Sequence, residues 1–117
     1  MNQASVVFVS DMPATCPPLH HGVELREFFR QTGRLAFAVV RMDAGGYAEA
    51  HAHPGSSHVI YLLEGRLEVT LGDARPVTLE PGGAVLIPEG LAHATRTTGD
   101  VTCAYVIVTA PPAAEED

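Results

Sequence analysis

Residues 45–65 read GGYAEAHAHPGSSHVIYLLEG, and this stretch decides the fold. It contains two short β-type runs separated by a Pro-Gly-Ser-Ser turn signal at residues 54–57. In a strand, residues two apart share a face, so His51 and His53 direct both imidazoles to one side. His58 opens the next run, where the reversed chain returns beside that pair. The stretch therefore predicts a hairpin that carries three histidines.

The same pattern of short runs and breaks continues on both sides of this hairpin. Apolar runs rich in β-branched residues alternate with breaks that contain Gly, Pro or Asp. The predicted strands are Leu35–Met42, His58–Leu63, Leu67–Leu71, Val77–Leu79, Ala84–Ile87 and Val101–Val108. Several short strands at regular spacing predict an all-β sandwich or barrel. His93 lies on a later strand, which must close across the barrel to meet the hairpin.

The N-terminal part is less regular. Val23–Gln31 fits both a helical stripe and a strand alternation, and we predict a strand because a lone helix would have little to pack against. Ser5–Ser10 is predicted to be an edge strand, followed by a loop with three prolines at residues 11–18. We expect a single domain over residues 1–110, with residues 1–21 as its N-terminal strand and loop. Residues 111–117 are expected to form a short, disordered acidic tail.

Composition excludes several classes of partner. The chain has 117 residues, 46% of them hydrophobic, which suffices for one core. A net charge of −7 argues against nucleic acid, which requires clustered Lys and Arg. No basic start followed by an apolar run marks a secretory signal, and no apolar stretch is long enough to span a membrane. We expect a cytoplasmic protein in which Cys16 and Cys103 are free thiols.

The spacing of two separated segments resembles that of the cupin superfamily. The first cupin motif, G(X)5HXH(X)3-4E(X)6G, is matched by Gly45, His51, His53, His58 and Gly65. The second, G(X)5PXG(X)2H(X)3N, is matched by Gly82, Pro88, Gly90 and His93. The resemblance extends from Gly22 to about Val108. It implies a small cupin-type β-barrel, which is a jelly-roll-like, double-stranded β-helix.

The resemblance also implies a metal site made by His51, His53, His58 and His93. His58 stands where the family usually has a glutamate ligand, and Thr97 stands where it usually has an asparagine. Four neutral imidazoles leave the charge of the ion uncompensated, so the bound metal should be strongly electrophilic. We expect one divalent transition metal ion per chain, either Fe, Mn, Cu, Ni or Zn, because imidazole suits several of these metals.

A substrate pocket is expected beside the ion. Strands next to the motifs offer five wall residues with a common inward phase, namely Phe37, Ile60, Leu62, Cys103 and Tyr105. The Tyr105 hydroxyl is a candidate donor to a substrate oxygen. Arg26, Arg41 and Glu49 are interpreted as exposed side chains, rather than as anchors or acid–base groups of the pocket. His20 and His21 follow Pro17-Pro18 and are expected on a surface loop.

Three functions fit these features. The leading hypothesis is a metal-dependent oxygenase that acts on a small enolisable or apolar molecule, as the resemblance to cupin dioxygenases implies. The second is redox-neutral chemistry on a sugar or small carbonyl compound, such as isomerisation, dehydration or lyase chemistry. The third is non-catalytic binding of a small ligand. We also predict a homodimer in which Ser5–Ser10 exchanges between protomers.

Overall fold

The computed structural model describes residues 4–112, which form a nearly all-β structure. One 3-10 turn, Val9–Asp11, precedes the strands, and no α-helix occurs in the described residues. The eight strands are β1 His20–Gln31, β2 Leu35–His51, β3 Ser57–Glu64, β4 Leu67–Leu71, β5 Val77–Leu79, β6 Ala84–Ile87, β7 His93–Thr97 and β8 Cys103–Ala110. The predicted all-β barrel is confirmed, including the strand at Val23–Gln31 as part of β1.

The long strand β2 organises the barrel. Residues 36–42 of its first half pair with β8, and residues 47–51 of its second half pair with β7. The sheet order is β5-β4-β7-β2-β8-β3-β6, and β1 pairs with β2. The two halves of β2 are joined by a register irregularity around Gly45 and Gly46, where β1 also shifts register. This bend lets one strand contribute to both sides of a nearly closed sheet.

The interior is divided into a packed end and an open end. On the inward face of β2, Val40 and Met42 belong to the buried core, together with Leu62 and Cys103 on facing strands. Nearer the start of β2, the inward positions are occupied by the small residues Ala36 and Ala38, which line a cavity. The exchange of large for small side chains along one strand therefore opens the barrel at this end.

The edge strand predicted over Ser5–Ser10 is wrong for this chain. Residues 4–8 have no regular structure, and the 3-10 turn begins at Val9. Val6 and Phe8 are largely exposed. The free edge of β1 is instead met by Thr15, which forms an isolated bridge with Leu25. Because that argument for strand exchange no longer applies, the homodimer stays a prediction.

The expected acidic tail at residues 111–117 lies mostly outside the described residues, which end at 112. Among the residues that are described, no helix has the length and apolar character needed to cross a lipid bilayer.

Candidate metal centre

Four histidine rings converge at the open end of the barrel. His51 ends β2, His53 follows it, His58 lies near the start of β3, and His93 begins β7. The hairpin expected from the sequence does not form, because β3 pairs with β6 and β8 and not with β2. It is β7 that pairs with β2, so that His51 and His93 are direct register partners. The barrel closure that the sequence spacing left open is therefore present.

The ring positions define a compact cluster. Ring centroids are 4.5 Å apart for His51 and His93, 4.8 Å for His51 and His53, and 4.3 Å for His53 and His58. His58 and His93 are 5.9 Å apart. Ligand nitrogens of His51, His53 and His93 all lie within 4.8 Å of one another. These three histidines form a candidate metal site, and His58 lies beside it without joining that tight group.

Backbone carbonyls fix the tautomer of two of these rings. Nδ1 of His51 lies 2.6 Å from the carbonyl oxygen of Glu49, and Nδ1 of His93 lies 3.0 Å from that of Leu91. A carbonyl oxygen only accepts, so each Nδ1 must carry the hydrogen and donate it. In a neutral imidazole the lone pair then resides on Nε2. This orientation of a ring by a carbonyl acceptor is common among metal-binding histidines.

His58 is the most deeply buried member of the cluster. It is 4% exposed, and its buried Nε2 has no hydrogen-bond partner within the described structure. Burial, and then the neighbouring His53, His93 and His51, lower the pKa of His58 to about 3. Burial also lowers the pKa of His93, although its bond to the Leu91 carbonyl acts in the opposite direction. Both rings are therefore neutral at pH 7, the state in which imidazole offers a lone pair to a metal.

A cavity of about 420 Å³ opens beside the histidines. Its lining is mostly apolar and includes Ala36, Ala38 and Ile107, while all four histidines contribute to one side. Two of the five predicted wall residues, Ile60 and Tyr105, line it. Tyr105 is 3% exposed and hydrogen-bonds the side chain of Thr95, and burial raises its pKa.

The other three predicted wall residues lie elsewhere. Leu62 and Cys103 are fully buried in the core, and burial raises the pKa of the Cys103 thiol to about 11. Phe37 is on the outer face, where it packs against Phe28 and Phe29. Both phases of this part of β2 are apolar, so alternation could not decide which one faces inward. The outer aromatic cluster makes Phe37 an outward residue.

His20 is a cavity residue that the sequence reasoning missed. It begins β1 rather than a surface loop, pairs with the buried Ala48, and lines the cavity with its ring centroid 5.5 Å from that of His51. A register shift between His21 and Val23 reverses the phase of β1, so plain alternation would have turned His21 inward instead. Nδ1 of His20 donates to the carbonyl oxygen of Pro18 at 2.8 Å.

His21 and Glu49 form an exposed pair beside this rim. His21 Nε2 lies 2.6 Å from Glu49 Oε2, and the His21 ring stacks on Tyr47. The Glu49 backbone N–H donates to the carbonyl oxygen of Leu19, which tethers the start of β1 to the strand that carries His51. The Glu49 carboxylate is thus exposed, as predicted, and its backbone N–H helps to hold the strand that carries His51 in place.

The two arginines considered from the sequence do not line the cavity. Arg26 donates to the carbonyl oxygen of Met12 and to Glu24, and Arg41 is exposed on the outer phase of β2. Thr97, at the position of the family's asparagine, accepts a hydrogen bond from the Gly45 N–H at 3.0 Å. Its hydroxyl also lies within hydrogen-bonding distance of the carbonyl oxygens of Asp43 and Gly46, so Thr97 stabilises the bend of β2.

Comparison with known proteins places this geometry in a family. The Cupin domain family matches residues 38–109. Protein SchB of Streptomyces halstedii is 34% identical over 121 residues, covering 98% of this chain and 83% of SchB. Polyketide synthase CurC of Streptomyces cyaneus is 34% identical over 81 residues, 68% of this chain and 50% of CurC. The chain thus spans most of SchB and half of CurC.

Solved structures agree with this relationship. The polyketide cyclase RemF from Streptomyces resistomycificus superposes with a TM-score of 0.82 and 25% identity, over 94% of this chain and 81% of RemF. KdgF from a Halomonas species shares the fold, with a TM-score of 0.80 over 94% of this chain and 96% of KdgF at 19% identity. On the family match, the relative SchB and the shared barrel, this chain belongs to the cupin family.

Proposed function

We propose that this cupin binds one divalent transition metal ion through His51, His53, His58 and His93, and uses it to close a ring in a polyketide-type substrate. The observation that carries the proposal is the convergence of these histidines on one side of an apolar cavity. The predicted substrate class, a small enolisable molecule, is kept. The reaction is redox-neutral carbon–carbon bond formation, which shares the redox-neutral metal chemistry of the second hypothesis from the sequence but is none of the reactions named there.

The donor set fits a metal ion. His51 and His93 have their Nδ1 hydrogens engaged by carbonyls, which leaves Nε2 of each ring as the ligand atom. His58 supplies a buried Nε2 without a hydrogen-bond partner, a costly arrangement that a metal bond would relieve. A movement of the His58 ring toward His51, His53 and His93 would complete the four-histidine site. Low pKa values of His58 and His93 keep both rings ready to bind at pH 7.

A bound divalent ion would act as a Lewis acid that polarises a carbonyl oxygen of the substrate. The cavity walls would hold the substrate and exclude water. Ala36 and Ala38 leave room for a folded chain, and a volume of about 420 Å³ lies within the usual range of ligand pockets. Apolar walls such as Ile60 and Ile107 exclude water and favour a compact substrate conformation. Tyr105 and Thr95 place a hydroxyl pair on the same wall.

Two relatives support this substrate class over the others. RemF is a polyketide cyclase and superposes over nearly the whole chain, and CurC is named as a polyketide synthase. A linear polyketide carries several carbonyl groups separated by methylene carbons, so it is enolisable. Cyclisation needs no oxidant, and the shape of the cavity would set the conformation in which the substrate closes its ring.

The test is reconstitution with a minimal aromatic polyketide synthase that releases a linear poly-β-ketone. Zinc-loaded protein should change the distribution of cyclised products, read by liquid chromatography and mass spectrometry. Products with the mass of the uncatalysed cyclisation but a different ring pattern are expected. Oxygen uptake with products that gain oxygen would favour the oxygenase hypothesis instead. An unchanged product pattern together with substrate binding would leave the ligand-binding module.

A further inference from the structure

We propose that Glu27 is the acid–base residue of this cavity, a role that rests on the proposed ring-closing function. Among the described residues that line the cavity, Glu27 has the one carboxylate. The rest of the lining, apart from the histidines, is apolar or carries hydroxyl groups. A carboxylate is unusual among the mostly apolar side chains of a barrel interior, and such a position is typical of a functional group.

A bulge in β1 brings Arg30 to the same face as Glu27. The β1–β2 register is Glu27 with Ala38, Phe29 with Phe37 and Arg30 with Ala36, with an irregularity between Glu27 and Phe29. Ala36 and Ala38 both face the cavity, so their partners Arg30 and Glu27 lie on the inward face of β1. Glu27 and Arg30 are three residues apart, and without the extra residue their side chains would face opposite sides of β1. Bulges often re-aim side chains at functional sites.

The same bulge explains the outer aromatic cluster. The bulged residue Phe28 packs edge-on against Phe37, with ring centroids 6.0 Å apart, and Phe29 packs against Phe37 at 6.4 Å. Burial of these rings on the outside favours the register in which Glu27 and Arg30 are both directed inward. The apolar exterior thereby stabilises a polar pair at the cavity wall.

Arg30 orients the carboxylate. Its Nε lies 3.1 Å from both Oε1 and Oε2 of Glu27, and its Nη2 lies 3.1 Å from Oε1. Each carboxylate oxygen has two lone-pair positions, so this contact leaves acceptor capacity toward the cavity. Arg30 is therefore a positioning residue, and Glu27 is the group that touches the substrate.

The location suits proton transfer to a substrate held by the histidines. Glu27 lies in a cross-strand row with Ala38, Ile107 and Ile60, and the next row contains His58. Strands β2 and β8 separate β1 from β3, so Glu27 and His58 line the cavity from strands that are not neighbours. A substrate that fills the cavity would therefore contact both groups.

The chemical step balances without an oxidant. The Glu27 carboxylate takes a proton from a methylene carbon flanked by two carbonyl groups, and the C–H electron pair becomes an enolate. The enolate carbon forms a bond with a second carbonyl carbon of the same substrate, whose π electrons move to its oxygen. That oxygen takes the proton back from the Glu27 carboxylic acid. The product is a cyclised isomer, and the carboxylate is regenerated.

The test uses the full chain loaded with zinc and the probe 2-acetyl-1-naphthol, whose acetyl protons exchange with deuterium from the solvent. Exchange is followed by mass spectrometry, probe binding by fluorescence, and zinc by elemental analysis. Glu27→Gln should retain zinc and bind the probe within about twofold, but exchange it about 100-fold more slowly. Glu27→Asp should recover part of the rate. The matched control is Glu24→Gln, on the outer face of the same strand and paired with Arg26.

Several results would overturn the assignment. Exchange by Glu27→Gln at the wild-type rate, or wild-type exchange no faster than that of free zinc, would remove Glu27 from an acid–base role. A loss of probe binding that equals the loss of exchange would show a binding role only. Absence of zinc from the wild type would contradict the proposed metal site instead, and comparison of metal-free wild type with Glu27→Gln would then decide the acid–base role.

Discussion

His51 and His93 are register partners across β2 and β7, and each donates its Nδ1 hydrogen to a backbone carbonyl two residues earlier in the chain. The acceptors are Glu49 and Leu91, which belong to different segments. Two rings of the cluster, one on each of two paired strands, are therefore oriented by the same kind of local hydrogen bond. This arrangement directs both Nε2 atoms to a shared point before any ion is bound.

The metal-free protein should lose stability as the pH falls below about 6.5. His58 and His93 are held neutral in the folded chain, whereas an unfolded chain takes up protons on histidine near pH 6.5. The contribution of His58 is thus fully present above that pH and declines until about pH 3. The free energy of unfolding should fall by about 1 kcal/mol per pH unit for His58, and His93 should add to the fall in the same direction. Urea unfolding between pH 7.5 and 4.5, after chelation, measures it.

His58→Leu is the control for this pH effect. It removes the buried Nε2 that has no partner, so the metal-free variant should be more stable than the wild type by about 1–2 kcal/mol at pH 5. Its stability should also depend less steeply on pH. A variant with the wild-type slope would show that another group carries the pH dependence.

Filling the cavity should separate substrate binding from metal binding. Ala38 lines the cavity without being one of the histidine ligands, in the cross-strand row next to that of His58. Ala38→Leu should weaken binding of the naphthol probe at least about tenfold, because an overpacked contact costs about 1–3 kcal/mol. Val39→Leu, on the outer phase of the same strand, is the control. Unchanged probe affinity in Ala38→Leu would show that the ligand binds outside this cavity.

The last glycine of the first motif should be intolerant of a side chain. Gly65 has φ +81°. A Cβ at this position would clash with the Thr102 carbonyl oxygen and would lie 2.8 Å from Cys103 Cα. Gly65→Ala should lower the free energy of unfolding by about 2–5 kcal/mol, from the left-handed backbone and the clash together. Gly33→Ala is the matched control, since Gly33 has φ +77° and nothing within 4 Å of its Cβ position. Equal losses in denaturant unfolding would contradict the clash.

The sequence predicted the parts of the fold that depend on local pattern. The strands at Leu67–Leu71, Val77–Leu79 and Ala84–Ile87 have the predicted bounds because turn residues mark both ends of each. His51, His53 and His58 converge as expected, but not as a hairpin, because His53 lies beyond the end of β2 and β3 pairs with β6 and β8. His93 joined them only through the motif spacing, since its pairing with β2 is a long-range contact.

The errors arise where a bulge changes the phase of a strand. The shift at Gly22 directs His20 inward, and the bulge at Phe28 turns Phe29 outward and Arg30 inward. No local composition signal marks either position, because the extra residue is selected by packing on the outer face. Phe37 was assigned to the pocket for a related reason, since only the contact with Phe28 and Phe29 fixes its side. Residue patterns therefore predict the strands better than the facing of their side chains.

The central claim is that the histidine cluster holds a metal ion, and the metal content of the purified chain tests it most directly. Elemental analysis should find about one divalent ion per wild-type chain, and almost none in the double variant His51→Ala, His93→Ala, because the two rings oriented by carbonyls are lost. His21→Ala, which removes an exposed ring bonded to Glu49, should retain the ion. Full metal content in the double variant would contradict the account.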